Sequence, residues 1–272
     1  MRPIWTAVLA FVLTFLARFI SEILIGVGFA ASTPDVPAER LFLSLSYLLA
    51  ATAVGSVIVI VGALIAAGRP PRERLRLVAP AAPPLALLVM IVGTLALGQA
   101  MESLAAALGV LSGSTVEFLT QLLVGASGTG LVLAVIVIGG LGPVGEELFF
   151  RGFMQTRLQQ RWRPAMAVVA AALAFGAVHL DWVHGTMAFG YGLYFGFLTV
   201  ASGSVLPAIL AHMLNNTASV VLTASIGPLG SSSGSHVAIF AGAAALFVLS
   251  LVVLRRLLPS RPPVQGERSS PA

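Results

Sequence analysis

Long apolar stretches, separated by short polar or proline-containing connections, run through almost the whole chain. A helix of about 20 apolar residues is long enough to cross a membrane. Eight stretches approach or exceed this length: 4–31, 41–67, 85–110, 130–153, 165–180, 185–202, 205–226 and 237–258. The pattern therefore predicts an all-α fold, a polytopic membrane helical bundle with about eight transmembrane helices.

Shorter features modify this picture. Residues 115–124 are apolar but too few to span, which predicts either an interfacial helix or the start of the fourth span. Arg18 and Glu22 interrupt the first span four residues apart, so they can pair on one helix face. Residues 259–272 are rich in Pro, Ser and Arg and are predicted to form a disordered cytoplasmic tail. This leaves 1–258 as a single membrane domain.

Composition supports a membrane protein. Hydrophobic residues make up 58% of the chain and charged residues only 9%, whereas a soluble domain carries about 25% charged residues. Cysteine is absent, which excludes thiolate nucleophiles and thiolate metal ligands. The formal charge is +5, but the basic residues are all arginines, and most of them lie at the ends of apolar stretches. That placement is typical of membrane topology, so no nucleic-acid partner is predicted.

The arginines also predict an orientation. Twelve of the fifteen lie on one side of the eight predicted spans. Arg40 lies on the opposite side, and Arg18 and Arg151 lie within spans. Because basic residues concentrate in cytoplasmic connections, both termini are predicted to be cytoplasmic. The twelve are Arg2, Arg69, Arg72, Arg74, Arg76, Arg157, Arg161, Arg163, Arg255, Arg256, Arg261 and Arg268.

Two adjacent carboxylates, Glu146 and Glu147, lie inside the fourth predicted span. One carboxylate at the centre of a bilayer costs at least about 2.5–3.5 kcal/mol, so such groups indicate a functional site. Glu147 and Arg151 are spaced to pair on one face. Glu146 lies about 100° further round the helix, which leaves it free to face another partner.

Two histidines are the candidate partners. The fourth and fifth spans are predicted to form a hairpin that turns near 161–164, with Glu146 and His179 at similar sequence distances from the turn. They should therefore lie at matching depth, and a carboxylate beside a histidine is suited to activate water as a general base. His212 and Asn216 share one face of the seventh span and could donate hydrogen bonds to an oxyanion. Together these groups predict hydrolysis of a peptide bond.

Other polar residues near this set receive no role. Asn215 lies about 100° away from the His212 face on the same helix. His184, beside Asp181 and Trp182, is predicted to lie at the outer membrane interface, where such groups are common.

Three short motifs resemble those of the CPBP family, which includes type II CAAX prenyl endopeptidases and the bacterial Abi proteins. Each motif is weak alone, but their order and spacing on membrane helices are specific. The resemblance covers about 131–220 and implies an intramembrane endopeptidase in a bacterial plasma membrane, with its catalytic core in about 130–226. The motifs are Glu146-Glu147-x-x-x-Arg151, Phe175-x-x-x-His179 and His212-x-x-x-Asn216.

The resemblance also implies roles for these residues. Glu146 and His179 would activate the attacking water, and His212 and Asn216 would form the oxyanion hole. Glu147, Arg151 and Phe175 would support the site. The substrate would be a peptide or a membrane-protein segment held in the lipid bilayer.

No cofactor is predicted, because the chain lacks a His-Glu-x-x-His zinc motif. Zinc held by Glu146, His179 and His212 is the alternative, since two histidines and a carboxylate form a known catalytic set.

Other classes of function are less consistent with the sequence. Gly125-Ala126-Ser127-Gly128 resembles the nucleophile motif of rhomboid serine proteases, but no His or Asn precedes His179, and the two glutamates would be unexplained. A proton-coupled transporter could use Glu146 as its carrier, but the chain shows no internal repeat. A non-catalytic immunity or scaffold protein with the same fold is the main alternative to an enzyme.

Overall fold

The computed structural model describes residues 3–227 and 233–258, and all regular structure within these ranges is helical. The predicted tail, 259–272, lies outside the described residues. The helices in chain order are α1 (Pro3–Ser32), α2 (Ala38–Phe42), α3 (Leu45–Ala67), α4 (Pro71–Arg74), α5 (Pro84–Ala107), α6 (Thr115–Leu123), α7 (Gly128–Leu158), α8 (Pro164–Ala177), α9 (Trp182–Ser202), α10 (Leu206–Ile226) and α11 (Ser233–Leu257).

Six of these helices, α1, α3, α5, α7, α10 and α11, are long and apolar enough to cross a membrane. The chain is therefore a multi-pass membrane protein, as its composition predicted. The fifth and sixth predicted spans correspond to α8 and α9, which are not among these six. Helix α8 has only 14 residues, because the chain turns sharply after Ala177 instead of continuing to Leu180.

The segment 115–124 forms a helix of its own. Ser114 caps α6 by accepting a hydrogen bond from the Glu117 backbone N–H at 3.2 Å. Gly125 follows with a φ of +73°, a left-handed conformation that glycine adopts readily. This turn separates α6 from α7, so residues 115–124 are not the start of the fourth span.

Helix α7 lies at the centre of the fold and contacts α1, α3, α8 and α10. Its phenylalanines belong to a buried hydrophobic cluster that also includes residues of α1, α3 and α8. Phe149 and Phe150 are fully buried; Phe149 packs edge-on against Phe15 of α1, and Phe150 against Phe175 of α8, with ring centroids 5.5 and 5.1 Å apart. Edge-to-face pairs of this kind stabilise beyond their buried area, so α7 is held firmly between the first and eighth helices.

Helices α8 and α9 pack closely against each other, with a glycine of each helix at the point of contact. A Cβ at Gly176 would lie 2.6 Å from the carbonyl oxygen of Gly185, and one at Gly185 would lie 2.9 Å from the carbonyl oxygen of Gly176. The close packing that small residues permit between membrane helices is therefore realised here. It brings the end of α8 against the start of α9, where His179 and His184 lie.

The pair in the first span is also present. Arg18 Nε donates to Glu22 Oε1 at 3.0 Å, with the two side chains 30% and 35% exposed. The prediction from their spacing is confirmed.

Candidate active site

Helix α7 is not uniform. It is α-helical over Gly128–Ala134, π-helical over Val135–Leu141, α-helical over Gly142–Glu147 and π-helical again over Leu148–Gln155. Both glutamates therefore end a short α-helical turn between two π-helical segments. Such segments are rare and occur frequently at functional sites.

Pro143 leaves one carbonyl of α7, that of Ile138, without a backbone N–H donor. The Gly142 N–H bonds to Val137 O, a step of five residues that is characteristic of a π-turn. The next step of the same pattern would join the nitrogen of residue 143 to Ile138 O, but residue 143 is proline and has no N–H. The Ile138 carbonyl is therefore left to accept a hydrogen bond from another helix.

Asn216 of α10 takes that position. Its Nδ2 donates to Ile138 O at 3.3 Å, and its Oδ1 accepts from Asn215 Nδ2 at 3.3 Å. An amide nitrogen carries two hydrogens, so one N–H of Asn216 is left for a further acceptor. The distortion in α7 thus orients a donor on α10.

Glu147 is fully buried and forms two short contacts through one oxygen. Arg151 Nη1 donates to Glu147 Oε1 at 2.9 Å, and His212 Nδ1 lies 3.0 Å from the same oxygen. The predicted Glu147–Arg151 pair is confirmed, and α10 supplies a third member. A buried carboxylate is stable only when it is paired in this manner.

Arg151 is also fully buried, and aromatic rings complete its surroundings. Its guanidinium carbon lies 4.3 Å from the centroid of Phe175 and 5.5 Å from that of Phe195. A guanidinium over an aromatic face is attracted by the ring's electrons. Phe175, predicted as a supporting residue, therefore contacts the cation of the buried pair.

His212 lies between the two carboxylates. Its Nδ1 faces Glu147, and its Nε2 lies 3.9 Å from Glu146 Oε2. Its ring stacks on Phe195 with centroids 4.8 Å apart. Because the paired carboxylate of Glu147 can only accept, Nδ1 carries the hydrogen, and the neutral ring has its lone pair on Nε2.

Glu146 differs from its neighbour in exposure and in partners. Its side chain is 24% exposed, while that of Glu147 is 0% exposed. The 3.9 Å separation from His212 Nε2 is too long for a direct hydrogen bond. Glu146 also lies within electrostatic range of His179. Glu146 is therefore the carboxylate of the two that can meet water and substrate.

His179 follows α8 in the turn before α9. Its Nδ1 lies 2.8 Å from Phe175 O, and since a carbonyl only accepts, this nitrogen donates and the neutral ring keeps its lone pair on Nε2. The turn is tight because Leu180 adopts a φ of +55°, a conformation rare for a leucine. Residues in such conformations cluster at active sites.

The structure thus brings Glu146, Glu147, Arg151 and His212 into one contact group, with Phe175 and Phe195 against it. His179 adjoins this group through Phe175 and the charge of Glu146, and Asn216 lies one helical turn beyond His212. The His212–Glu147 contact could not be predicted from spacing along one helix, because the two residues lie on different helices and are 65 positions apart in the sequence. Pro143, inside an apolar run, is the signal that could have revealed the free carbonyl.

His184 was also missed. Its ring packs against His179 with centroids 4.3 Å apart. Asp181 caps α9 by accepting from the His184 backbone N–H at 2.6 Å and also accepts from Thr115 N–H at 3.1 Å. These two hydrogen bonds, of which the first is the stronger cause, hold the pKa of the Asp181 carboxyl below its usual range. The spacing Asp-x-x-His at a helix start could have indicated this arrangement.

The donor arrangement does not fit the zinc alternative. Across residues 3–227 and 233–258, no three His, Asp or Glu side chains are grouped so that they could hold a metal ion. Glu146, His179 and His212 are accordingly not a ready three-ligand set. Ser127, the serine of the rhomboid alternative, is the extended residue that precedes α7.

Comparison with known proteins identifies a family and a relative that the chain resembles. Residues 128–218 match the sequence model described as type II CAAX prenyl endopeptidase Rce1-like. The chain is 30% identical over 90 residues to a Bacillus subtilis (strain 168) protein named "Putative membrane peptidase YdiL", and this match covers 33% of the chain and 37% of the relative. The chain thus matches little more than a third of that relative's length. The resemblance predicted from the three motifs is confirmed, and the matched segment contains every candidate site residue.

Proposed function

Because residues 128–218 match the model of the Rce1-like type II CAAX prenyl endopeptidases, we propose that this multi-pass membrane protein is an intramembrane endopeptidase. It would hydrolyse a peptide bond of a membrane-associated protein or peptide with a water molecule activated by Glu146 and His179. The observation that carries the proposal is the division between the two glutamates. Glu147 is fully buried and is held through its Oε1 by Arg151 and His212, while Glu146 is partly exposed and lies 3.9 Å from His212 Nε2.

In the proposed reaction, the attacking water is activated by two groups, the Nε2 of His179 and the carboxylate of Glu146. The Nε2 lone pair of neutral His179 accepts one hydrogen of the water and orients it, and the Glu146 carboxylate accepts the proton as oxygen attacks the carbonyl carbon of the substrate. A positioned base of this type contributes about 10²–10⁴-fold. When the tetrahedral intermediate collapses, the protonated Glu146 returns its proton to the leaving amine and the C–N bond breaks.

The negative oxygen of the intermediate is stabilised by α10. Asn216 Nδ2 donates one hydrogen to Ile138 O and would donate its second hydrogen to the oxyanion. His212, in the form that carries a hydrogen on both ring nitrogens throughout the step, donates to that oxygen through Nε2 while Nδ1 donates to Glu147. Preorganised donors aimed at a developing oxyanion are the largest single contribution in many enzymes.

The proposal includes the finer topology. Helices α8 and α9 would complete eight spans with both termini cytoplasmic, in a bacterial plasma membrane. Helix α9 has 21 residues and is about 31 Å long, enough for the hydrocarbon core. Helix α8 is only about 21 Å long. The residues that flank α8, up to His179 in the turn, would therefore have to complete this crossing. The 1–258 region would act as one domain.

The test is cleavage of membrane-embedded reporter segments by the purified protein in liposomes that contain a chelator. We expect turnover by the natural sequence and its loss in His179→Ala and His212→Ala, with folding checked by thermal denaturation. A parallel reporter that ends in a prenylated CAAX peptide determines whether prenylation is needed. Complete lack of cleavage of both reporters, with well-folded protein, would instead favour the non-catalytic scaffold.

A further inference from the structure

A chain of hydrogen bonds leads to Asn216 from outside the three motifs. The Tyr191 hydroxyl of α9 donates to Asn215 Oδ1 at 3.0 Å, and Asn215 Nδ2 donates to Asn216 Oδ1 at 3.3 Å. Asn216 Nδ2 then donates to Ile138 O at 3.3 Å. Every link has the same polarity, and because the Ile138 carbonyl at one end can only accept, the chain defines which side of each amide is nitrogen.

This polarity matters for the proposed reaction. Asn216 can stabilise an oxyanion only if Nδ2 faces it, because the reversed amide would present a carbonyl oxygen to a negative charge. Ile138 O favours the correct orientation from one end. Tyr191 supports it from the other end, because its hydroxyl, which could also accept, here donates to Asn215 Oδ1 and leaves Asn215 Nδ2 to donate to Asn216 Oδ1.

The same tyrosine is connected to the second oxyanion donor by ring stacking. The rings of Tyr191 and Phe195 lie 5.5 Å apart with an interplanar angle of 14°. Phe195 in turn stacks on His212 at 4.8 Å and 26°. One face of α9 therefore contacts both His212 and the amide that orients Asn216.

Helix α5, outside the segment shared with the family, leaves space for this hydroxyl. A Cβ added at Gly98 would overlap the Tyr191 hydroxyl and lie 3.0 Å from Asn215 Oδ1. Only glycine leaves the Tyr191–Asn215 hydrogen bond undisturbed at that position.

We propose that Tyr191 is a positioning residue of the oxyanion hole, which acts through Asn215 to fix the amide orientation of Asn216. The inference rests on the proposed function and deepens it. Tyr191 does not touch the reacting atoms; it acts on the two donors that do.

The chain offers a close control. Tyr194, one turn further along α9, donates its hydroxyl to Met90 O at 3.2 Å and lies over Gly93 of α5 in the way that Tyr191 lies over Gly98. Tyr191→Phe and Tyr194→Phe each remove one hydroxyl and keep the ring. Gly98→Ala and Gly93→Ala disturb the same two hydroxyls from the neighbouring helix.

The first measurement does not need turnover. The chain contains only two asparagines, Asn215 and Asn216, so protein labelled with ¹⁵N-asparagine gives two side-chain amide signals. We expect Tyr191→Phe and Gly98→Ala to shift both signals, and Tyr194→Phe and Gly93→Ala to leave them in place. Unshifted signals in Tyr191→Phe would overturn the proposal, whether or not the protein cleaves a reporter.

The second measurement separates positioning from general stability. With a reporter that the natural sequence cleaves, Tyr191→Phe should lower kcat about tenfold at unchanged KM, as expected for one lost buried hydrogen bond. In an Asn216→Ala background the same change should have no further effect, because the residue being oriented is gone. Equal effects in both backgrounds, or unchanged kcat despite shifted amide signals, would overturn the role of Tyr191 while leaving Glu146-based hydrolysis intact.

Discussion

Two glutamate–arginine pairs in this protein have the same spacing but different surroundings. Arg18 and Glu22 of α1 are 3.0 Å apart and about a third exposed, whereas Arg151 and Glu147 of α7 are 2.9 Å apart and fully buried. In α1 the salt bridge joins two neighbours on one helix. In α7 the same carboxylate oxygen also contacts His212 of α10, and the guanidinium lies over Phe175 of α8.

The two pairs differ in whether the carboxylate is connected to side chains of other helices. A pair on a single helix face neutralises charge and needs no other helix. The buried pair is connected to a histidine whose second nitrogen faces another, partly exposed carboxylate. In the proposed reaction Glu146 would therefore act on the water, and the Glu147–Arg151 pair would hold His212 of α10 in the orientation that the reaction requires.

The largest expected difference between the pairs is in stability. Arg151→Met leaves Glu147 buried with only His212 as partner, and breaking a buried pair on one side costs about 3–5 kcal/mol. We expect the free energy of unfolding in detergent, measured by denaturant titration, to fall by about this amount. The control, Arg18→Met, should cost much less, because Glu22 is 35% exposed and can move. Equal losses would contradict the distinction between the two pairs.

A glycine lies under each arginine and gives a sharper comparison. A Cβ at Gly192 would lie 2.9 Å from Ala172 Cα and 3.2 Å from Arg151 Nη2, while one at Gly55 would lie 3.3 Å from Arg18 Nε. Backbone cannot yield as a long side chain can. Gly192→Ala should therefore destabilise by about 1–3 kcal/mol, as overpacking does, and Gly55→Ala by less. Thermal denaturation of the two variants compares them; a larger loss in Gly55→Ala would be the opposite result.

A third carboxylate, Asp181, is paired with backbone N–H groups instead of an arginine. Its lowered pKa means that its contribution to stability is complete above the ordinary carboxyl pKa and is lost as the pH falls through the lowered value. Asp181→Asn keeps the helix cap but cannot titrate. The melting temperature of the natural sequence should therefore fall more steeply than that of the variant below about pH 4. Parallel curves would contradict this.

The smallest effect is expected when both members of the exposed pair are replaced together. In Arg18→Leu/Glu22→Leu no charge is left unpaired, and apolar residues are favoured in a membrane helix. We expect unchanged reporter cleavage and unchanged or slightly increased thermal stability. Loss of cleavage with retained stability would show that the pair in α1 also serves the reaction.

Much of the fold could be predicted from the sequence. Apolar runs are sufficient to predict a helical membrane protein, and spacing is sufficient to predict both salt bridges, because each involves a single helix. The number of spans was less accessible. Helix α8 ends at Ala177 because Leu180 turns the chain, and hydropathy contains no information about a left-handed leucine.

The site could be predicted only in part. Motif order predicts Glu146, His179, His212 and Asn216 as site residues, but not how they are connected. The contact of His212 with Glu147 depends on how α10 packs against α7. The acceptor for Asn216 depends on a π-turn whose next hydrogen bond Pro143 prevents. Both features arise from tertiary packing, which periodicity along one helix does not describe.

The division of labour between the adjacent glutamates is tested most directly by measuring turnover and stability together in Glu146→Gln and Glu147→Gln. We expect Glu146→Gln to lose at least about 10²-fold in kcat while its melting temperature is unchanged. Glu147→Gln should lower the melting temperature, because Arg151 and His212 lose a charged partner. Full cleavage activity in Glu146→Gln, or the same loss of stability in both variants, would contradict the assignment of Glu146 as the catalytic base.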